Sequence, residues 1–358
     1  MPRIVAETDE DIEVERISAL LEPGGRVDGN PKRLAENLGL AFMGCIVLGM
    51  GFVLEPDEAA AWIESDPKYK DVLFPYLNGE DLNSRPDGSA SRWVIDFYNW
   101  PERQAETYEL PYLRALERVK PERSKNKRKP RRERWWQFAE LAHAMREATS
   151  DLDEVLAIAL VSKSLMPLRI PARQVFSNTL GIFAANSYAD QAVLSSSLHQ
   201  MWAIKYGSGL RNDPRYTPGD VFESFPRPSR ADELEIICRV LDSERRELML
   251  RRSLGLTKLY NLVNDPGITD SADGDVARIR EIHVQLDRAV MAAYGWDDVA
   301  LDHGFHTYRQ MERWTVSPTA RVEILDRLLE ENHRRAASQG VVSPSDNNEA
   351  TEEEEGDE

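Results

Sequence analysis

The stretches SSSLHQMWA (Ser195–Ala203) and RYTPGDVFESFPRP (Arg215–Pro228) separate two kinds of sequence in this chain. Their bulky residues Trp202, Tyr216, Phe222 and Phe225 are read as core, and Ser195 or Ser196 as a helix cap. Pro226 and Pro228 are read as the end of a folded segment. Ser195–Ser197 near His199 have the composition of a nucleophile and its base, but no glycine elbow surrounds them, so the capping role is preferred. Beyond Pro228, Leu234, Ile237, Val240, Leu241 and Leu248 recur at near-helical spacing, as do the apolar residues of 276–294 and 319–336. These predict a small helical bundle.

Upstream of Ser195 the pattern is mixed. FMGCIVLGMGFVL (Phe42–Leu54) reads as two short strands around a turn, a buried glycine-rich hairpin, and EPDEAAAWIES (Glu55–Ser65) as a short helix opened by Pro56 and Asp57. RWVIDFYNW (Arg92–Trp100) alternates and is rich in aromatics, which favours a strand. Val155–Ile170 and Gln174–Ala185 add further strands. The expected fold class is α+β, a mixed α/β domain followed by a small helical one. The expected limits are a linker over 1–30, the mixed domain over 31–228, the helical domain over 229–338 and an acidic tail over 339–358, which its composition marks as disordered and solvating.

The chain has 358 residues and a formal net charge of −17, which at face value argues against a nucleic-acid partner. The distribution argues the reverse. KPERSKNKRKPRRERWW (Lys120–Trp136) holds nine Lys and Arg against two Glu, while acids gather at the ends, above all in NNEATEEEEGDE. Flanked by Pro121 and Pro130, the basic run reads as a cationic loop ending at Trp135 and Trp136. Cys45 and Cys238 are far apart and in no metal-binding pattern, as in a reducing cytoplasm. The acidic N-terminus lacks a secretory core, and Leu38–Leu54 falls short of the ~20 residues of a spanning helix. A cytoplasmic protein without membrane insertion is expected.

Motifs for chemistry are mostly absent. Gly44-x4-Gly49 opens like a phosphate loop, but Met50 stands where the lysine belongs, and Gly49-x-Gly51 lacks the third glycine of a dinucleotide fingerprint. Pro56-Asp57 with Asp66-Pro67-Lys68 formally matches a loose nuclease pattern, yet Pro67 removes a donor that a central strand needs. His303 and His306 beside Asp302 lack further clustered ligands and read as a surface turn. No catalytic residue and no metal ligand is assigned.

LAENLGLAFMGCIVLGMGFVL (Leu34–Leu54), FPYLNGEDLNSRP (Phe74–Pro86), RWVIDF, VKPER, the Trp135–Trp136 pair, LSSSLHQMW, RYTPGDVFESFPRP, GLTKLYN (Gly255–Asn261) and IHVQLDRAVMAAYGWDD (Ile282–Asp298) occur in an order and spacing that together carry a resemblance. Over residues 31–335 the chain resembles the C-terminal half, target-recognition domain plus helical segment, of MmeI-like type IIG/IIL restriction-modification DNA methyltransferases. The resemblance implies that the chain reads double-stranded DNA and works with a methyltransferase domain or subunit. Adenine-specific methyltransferases need a glycine-containing cofactor loop and an Asn/Asp-Pro-Pro-aromatic tetrad. Asn30-Pro31 and Asp213-Pro214 are incomplete versions and read as turns, so S-adenosylmethionine belongs to the complete family enzyme and no cofactor is assigned here. A split-subunit half of an active methyltransferase and a degenerate decoy protein of a defence island are the alternative readings.

A DNA reader fixes its register through phosphates and reads base edges. The phosphate candidates are Arg123, Lys125, Lys127, Arg128, Arg131 and Arg132 in the basic run, with Lys163 and Lys205. The base-reading candidates are Arg169, Arg173, Gln174 and Asn178, between predicted strands. In the helical segment, Leu256, Leu259, Tyr260, Tyr294 and Trp296 are expected to form one core.

Overall fold

The computed structural model describes residues 3–6, 11–14, 27–210, 213–229, 231–308 and 311–339. Nearly all of the expected acidic tail therefore lies outside the described residues. The expected N-terminal linker holds one paired element, β1 (Arg3–Ala6) antiparallel to β2 (Asp11–Val14).

The chain forms two compact units. One comprises 39–160 with 168–185, and its elements follow chain order. They begin with β3 (Ala41–Met43), β4 (Val53–Leu54), α1 (Pro56–Ser65), β5 (Leu73–Leu77), α2 (Gly79–Ser84) and β6 (Arg92–Ile95). Next come α3 (Glu102–Ala105), α4 (Glu109–Arg118), α5 (Lys120–Arg123), α6 (Lys129–Glu133) and α7 (His143–Thr149). The unit closes with β7 (Glu154–Ala159), β8 (Leu168–Pro171), β9 (Val175–Phe176) and β10 (Leu180–Phe183). The strands make two four-stranded sheets, ordered β4-β6-β5-β9 and β3-β10-β7-β8.

Phe42–Leu54 is not a hairpin. β3 pairs with β10, through Phe42↔Ile182, whereas β4 pairs with β6, through Val53↔Val94. Between them Cys45 bridges Ser177 and Ile46 bridges Glu140. A Cβ on Gly44 would sit 2.2 Å from the Ser177 carbonyl oxygen, so only glycine permits this backbone approach. Gly49, at φ +123°, then turns the chain into a short 3-10 turn, Met50–Phe52. The glycines that mimic a phosphate loop thus serve strand crossing. α1 begins at Pro56, where a missing N–H costs nothing.

The other unit comprises 1–38, 161–167 and 186–358. Its elements are α8 (Tyr188–Ser195), α9 (Ser197–Tyr206), the hairpin β11 (Ser208–Leu210) and β12 (Asp213–Arg215), α10 (Pro218–Val221) and α11 (Asp232–Arg251). They continue as α12 (Leu256–Val263), α13 (Gly274–Tyr294), the hairpin β13 (Gly304–Tyr308) and β14 (Met311–Thr315), and α14 (Pro318–Gln339). Compactness thus groups 186–229 with the helices rather than with 39–160 and 168–185. Asn37 secures that grouping by donating its side-chain amide to the carbonyls of Phe222 and Phe225, and Gln191 on α8 donates to Asp242 on α11 at 2.9 Å. The three long helices match the apolar periodicity, while the β13–β14 hairpin lies where no strand was expected.

Trp202, Tyr216, Phe222 and Phe225 are all buried core. Ser196, not Ser195, caps α9, accepting from the His199 amide. Buried His199 lies 3.2 Å from the Leu194 carbonyl through Nδ1 and 3.0 Å from the Tyr216 hydroxyl through Nε2, and burial draws its pKa down to about 3. The residues expected to form one helical core fall into two groups. Leu256, Leu259 and Tyr260 are buried, with Tyr260 bonded to His283 at 2.8 Å. Tyr294, just over three turns further along α13 than His283, instead stacks on Trp296 at 4.2 Å and donates to the Pro226 carbonyl. His303 is not a surface turn: its Nε2 lies 2.8 Å from buried Asp287, whose other oxygen accepts the Ser197 amide.

Candidate nucleic-acid interface

The basic run is built between two internal anchors. At its start Arg123 is buried, donating from Nε to the Leu48 carbonyl and from Nη2 to those of Val47 and Gln137, at 2.9, 2.9 and 3.2 Å. Burial, then the nearby charge of Arg131, lowers its pKa to about 10, so it stays cationic at neutral pH. At its end Trp135 and Trp136 are buried edge to face, and Trp136 donates its indole N–H to the Trp100 carbonyl at 2.9 Å. Lys120 lies over the Trp135 ring at 4.7 Å.

The run is not a loop throughout. Pro121 and Pro130 each stand in the first turn of a short helix, α5 and α6, where proline lacks nothing it needs. Flanking prolines therefore mark helix starts here, which the loop reading missed. Lys125, Lys127, Arg128 and Arg132 are exposed. Arg132 donates to the carbonyls of Asn126 and Lys127, which fixes the turn between the helices. Arg131 is largely covered, 3.6 Å from Glu140. Arg123 leaves the phosphate-contacting set, because its guanidinium is enclosed and engaged by carbonyls. Lys163 and Lys205 belong to the other compact unit. Lys163 is exposed, its carbonyl accepting from Arg313, and half-buried Lys205 lies over Tyr206 at 5.5 Å.

Among the base-reading candidates, Arg169 is buried on β8 with Glu154 at 3.6 Å, a position inside the sheet rather than on a reading loop. Arg173 is exposed and Gln174 half-buried on the turn between β8 and β9, where Gln174 donates to the Pro171 carbonyl at 2.7 Å. Half-buried Asn178 follows β9; its backbone amide donates to the Cys45 carbonyl and its side chain accepts from Ser177.

Arg173 and Gln174 border a cleft of about 190 Å³ that the sequence reading missed, lined also by Phe74, Asp96, Arg146 and Phe176. Arg146, on α7, pairs with buried Asp96 at 2.8 Å and donates through Nε to the Leu141 carbonyl. Burial pushes the neighbouring Cys45 thiol up, against the lowering effect of Arg146, so it is no nucleophile at neutral pH. Asp96 and Arg146 are 50 residues apart, and no spacing signal links them. Among the described residues, no cluster of three or more His, Cys, Asp and Glu is placed to hold a metal, and no helix is long and apolar enough to cross a membrane.

Comparisons with known proteins place this geometry. A solved structure of the type IIL restriction-modification enzyme MmeI in complex with DNA shares the fold, with a TM-score of 0.64 at 17% identity over 92% of this chain and 40% of that one. The chain thus spans about two fifths of that enzyme's length. The type IIG restriction endonuclease BpuSI aligns with a TM-score of 0.34 at 12% identity, over 71% of this chain and 30% of that one. None of the curated proteins matches in sequence. The family model described as "MmeI, target recognition domain" matches residues 35–229, more than half of the chain. This chain therefore belongs to the MmeI target recognition domain family.

Proposed function

We propose that this chain is the DNA-sequence-reading part of an adenine-specific restriction-modification methyltransferase, itself without the methyl-transfer and nuclease motifs, and that it acts with a methyltransferase domain or subunit that binds S-adenosylmethionine. The observation that carries the reading is the cationic run held between Arg123 and the Trp135–Trp136 pair. These anchors fix the ends of a segment whose Lys125, Lys127, Arg128 and Arg132 stand in solvent. A run so held loses little freedom on meeting phosphates, and each neutralised phosphate releases counterions. The likeness to MmeI, solved in complex with DNA, supports taking duplex DNA as the partner.

Lys125, Lys127, Arg128 and Arg132 are assigned to phosphates, with Arg131, Lys163 and Lys205 as supporting cations. Arg173, Gln174 and Asn178 are assigned to base edges. The reading segment is taken as 31–228, and the chain as cytoplasmic. The test is selection from a randomised duplex pool at near-physiological salt, followed by sequencing of the bound fraction. Enrichment of one short motif is expected; an unselected pool would refute autonomous reading.

A further inference from the structure

The cleft beside Arg173 and Gln174 has the size and polarity of a single-ring site. A dry cavity of ~150 Å³ takes one benzene ring, whereas pockets for larger ligands run to ~300–1,000 Å³. At about 190 Å³ this cleft suits one planar ring with small substituents. It opens on the face of the β4-β6-β5-β9 sheet. Phe74 and Val94 are register partners there, and Asp96 lies two residues further along the same face.

The polar groups on this face form a fixed pair. Asp96 accepts the Tyr98 amide at 2.9 Å and holds Arg146 Nη2 at 2.8 Å. Arg146 is immobilised further by the Leu141 carbonyl, by the Cys45 sulfur at 3.3 Å and by the Tyr98 ring at 4.9 Å. Among the described residues Arg146 Nη1 has no partner. Gln174 directs its amide nitrogen to Pro171, which leaves its Oε1 as an acceptor at the rim. A donor on Arg146 and an amide acceptor on Gln174, next to the half-exposed ring of Phe74, match a flat heterocycle that carries an acceptor and a donor on one edge.

Resting on the DNA-reading proposal above, we propose that this cleft takes one nucleobase displaced from the stack, with Arg146 and Gln174 on its hydrogen-bonding edge, Asp96 holding Arg146 in place, and Phe74 against its face. Phosphate fits less well, because the cleft places a carboxylate 2.8 Å from its cation. An intact base pair keeps its edge within the groove, so a ring reaches this floor only by leaving the helix. Extrusion costs least where the base is already mispaired.

The experiment uses the full chain and the duplex motif it selects, with each position mismatched in turn. Binding is expected to tighten about tenfold at one position, where the mismatch removes the unpairing cost. 2-Aminopurine at that position is expected to brighten on binding, a readout that needs no variant. In Phe74→Ala and in Arg146→Lys, which keeps a cation beside Asp96, the tightening at that position is expected to vanish while selectivity elsewhere persists. If a motif is selected but no mismatch tightens binding, or if the tightening survives in both folded variants, the cleft takes no base and DNA reading still stands. If no motif is selected, the reading of function fails and this inference falls with it.

Discussion

His199 Nε2 lies 3.0 Å from the Tyr216 hydroxyl, so a hydrogen bond joins the Ser195–Ala203 and Arg215–Pro228 segments inside the core. With Nδ1 facing the Leu194 carbonyl at 3.2 Å, the consistent tautomer carries its proton on Nδ1 and accepts from Tyr216 on Nε2. Tyr216→Phe leaves that nitrogen buried without a donor. A loss of about 1–3 kcal/mol in urea unfolding is expected. Unchanged stability would show that the bond contributes nothing.

Acid should destabilise the unit that holds this pair. Burial draws His199 down to about 3 and His283 to about 4, whereas an exposed histidine titrates near ~6.5. Between these values the unfolded chain binds more protons than the folded one. Stability is therefore full above pH ~6.5 and falls as pH drops towards 4, by ~1.4 kcal/mol per pH unit for each fully responding histidine. Unfolding series at pH 7, 6 and 5 measure the slope. His199→Gln should reduce it by about half, and an unchanged slope would show that His199 is not a source.

Arg123 and its neighbours should separate stability from binding. Arg123→Met orphans the Val47, Leu48 and Gln137 carbonyls and is expected to cost about 3 kcal/mol or more. Alanine at Lys125, Lys127 or Arg128 should leave the melting temperature within about 2 °C, since these side chains stand in solvent, whereas alanine at Arg132 also removes its bonds to the Asn126 and Lys127 carbonyls. For every phosphate that a variant no longer neutralises, the slope of log affinity against log salt should fall by ~0.9. Equal salt slopes for wild type and a quadruple variant would remove the phosphate assignment.

Gly44→Ala is expected to destabilise strongly, because its Cβ would meet the Ser177 carbonyl at 2.2 Å and the Phe176 carbonyl at 2.4 Å. Both obstacles are backbone. A cost of about 3 kcal/mol or more in chemical denaturation is the expected outcome, and a neutral substitution would contradict this approach of the strands.

The acidic tail is predicted from sequence to compete with phosphate for the basic run. Deletion of residues 344–358 is then expected to tighten DNA binding at low salt and to matter little at high salt, where screening removes the competition. Identical low-salt affinities for intact and truncated chains would dismiss the idea.

By itself the sequence determined the features that depend on near neighbours. The near-helical period of Leu234, Ile237, Val240, Leu241 and Leu248 falls on α11, where Leu234, Leu241 and Leu248 are buried and Ile237 and Val240 half-buried. Val155 to Ala159 forms a strand whose continuous apolar run is buried on both faces. The family was legible because its motifs keep their order along the chain. Tertiary structure alone decided what depends on distant partners. Phe42 finds Ile182 rather than Val53, because edge hydrogen bonds are satisfied by whichever strand the fold brings alongside. Arg123 and Lys125 look alike in sequence, yet only one is met by enclosed carbonyls that need a donor. Asp96, Arg146 and Gln174 meet around one cleft only after β6, α7 and the β8–β9 turn are assembled, since no local periodicity links residues so far apart.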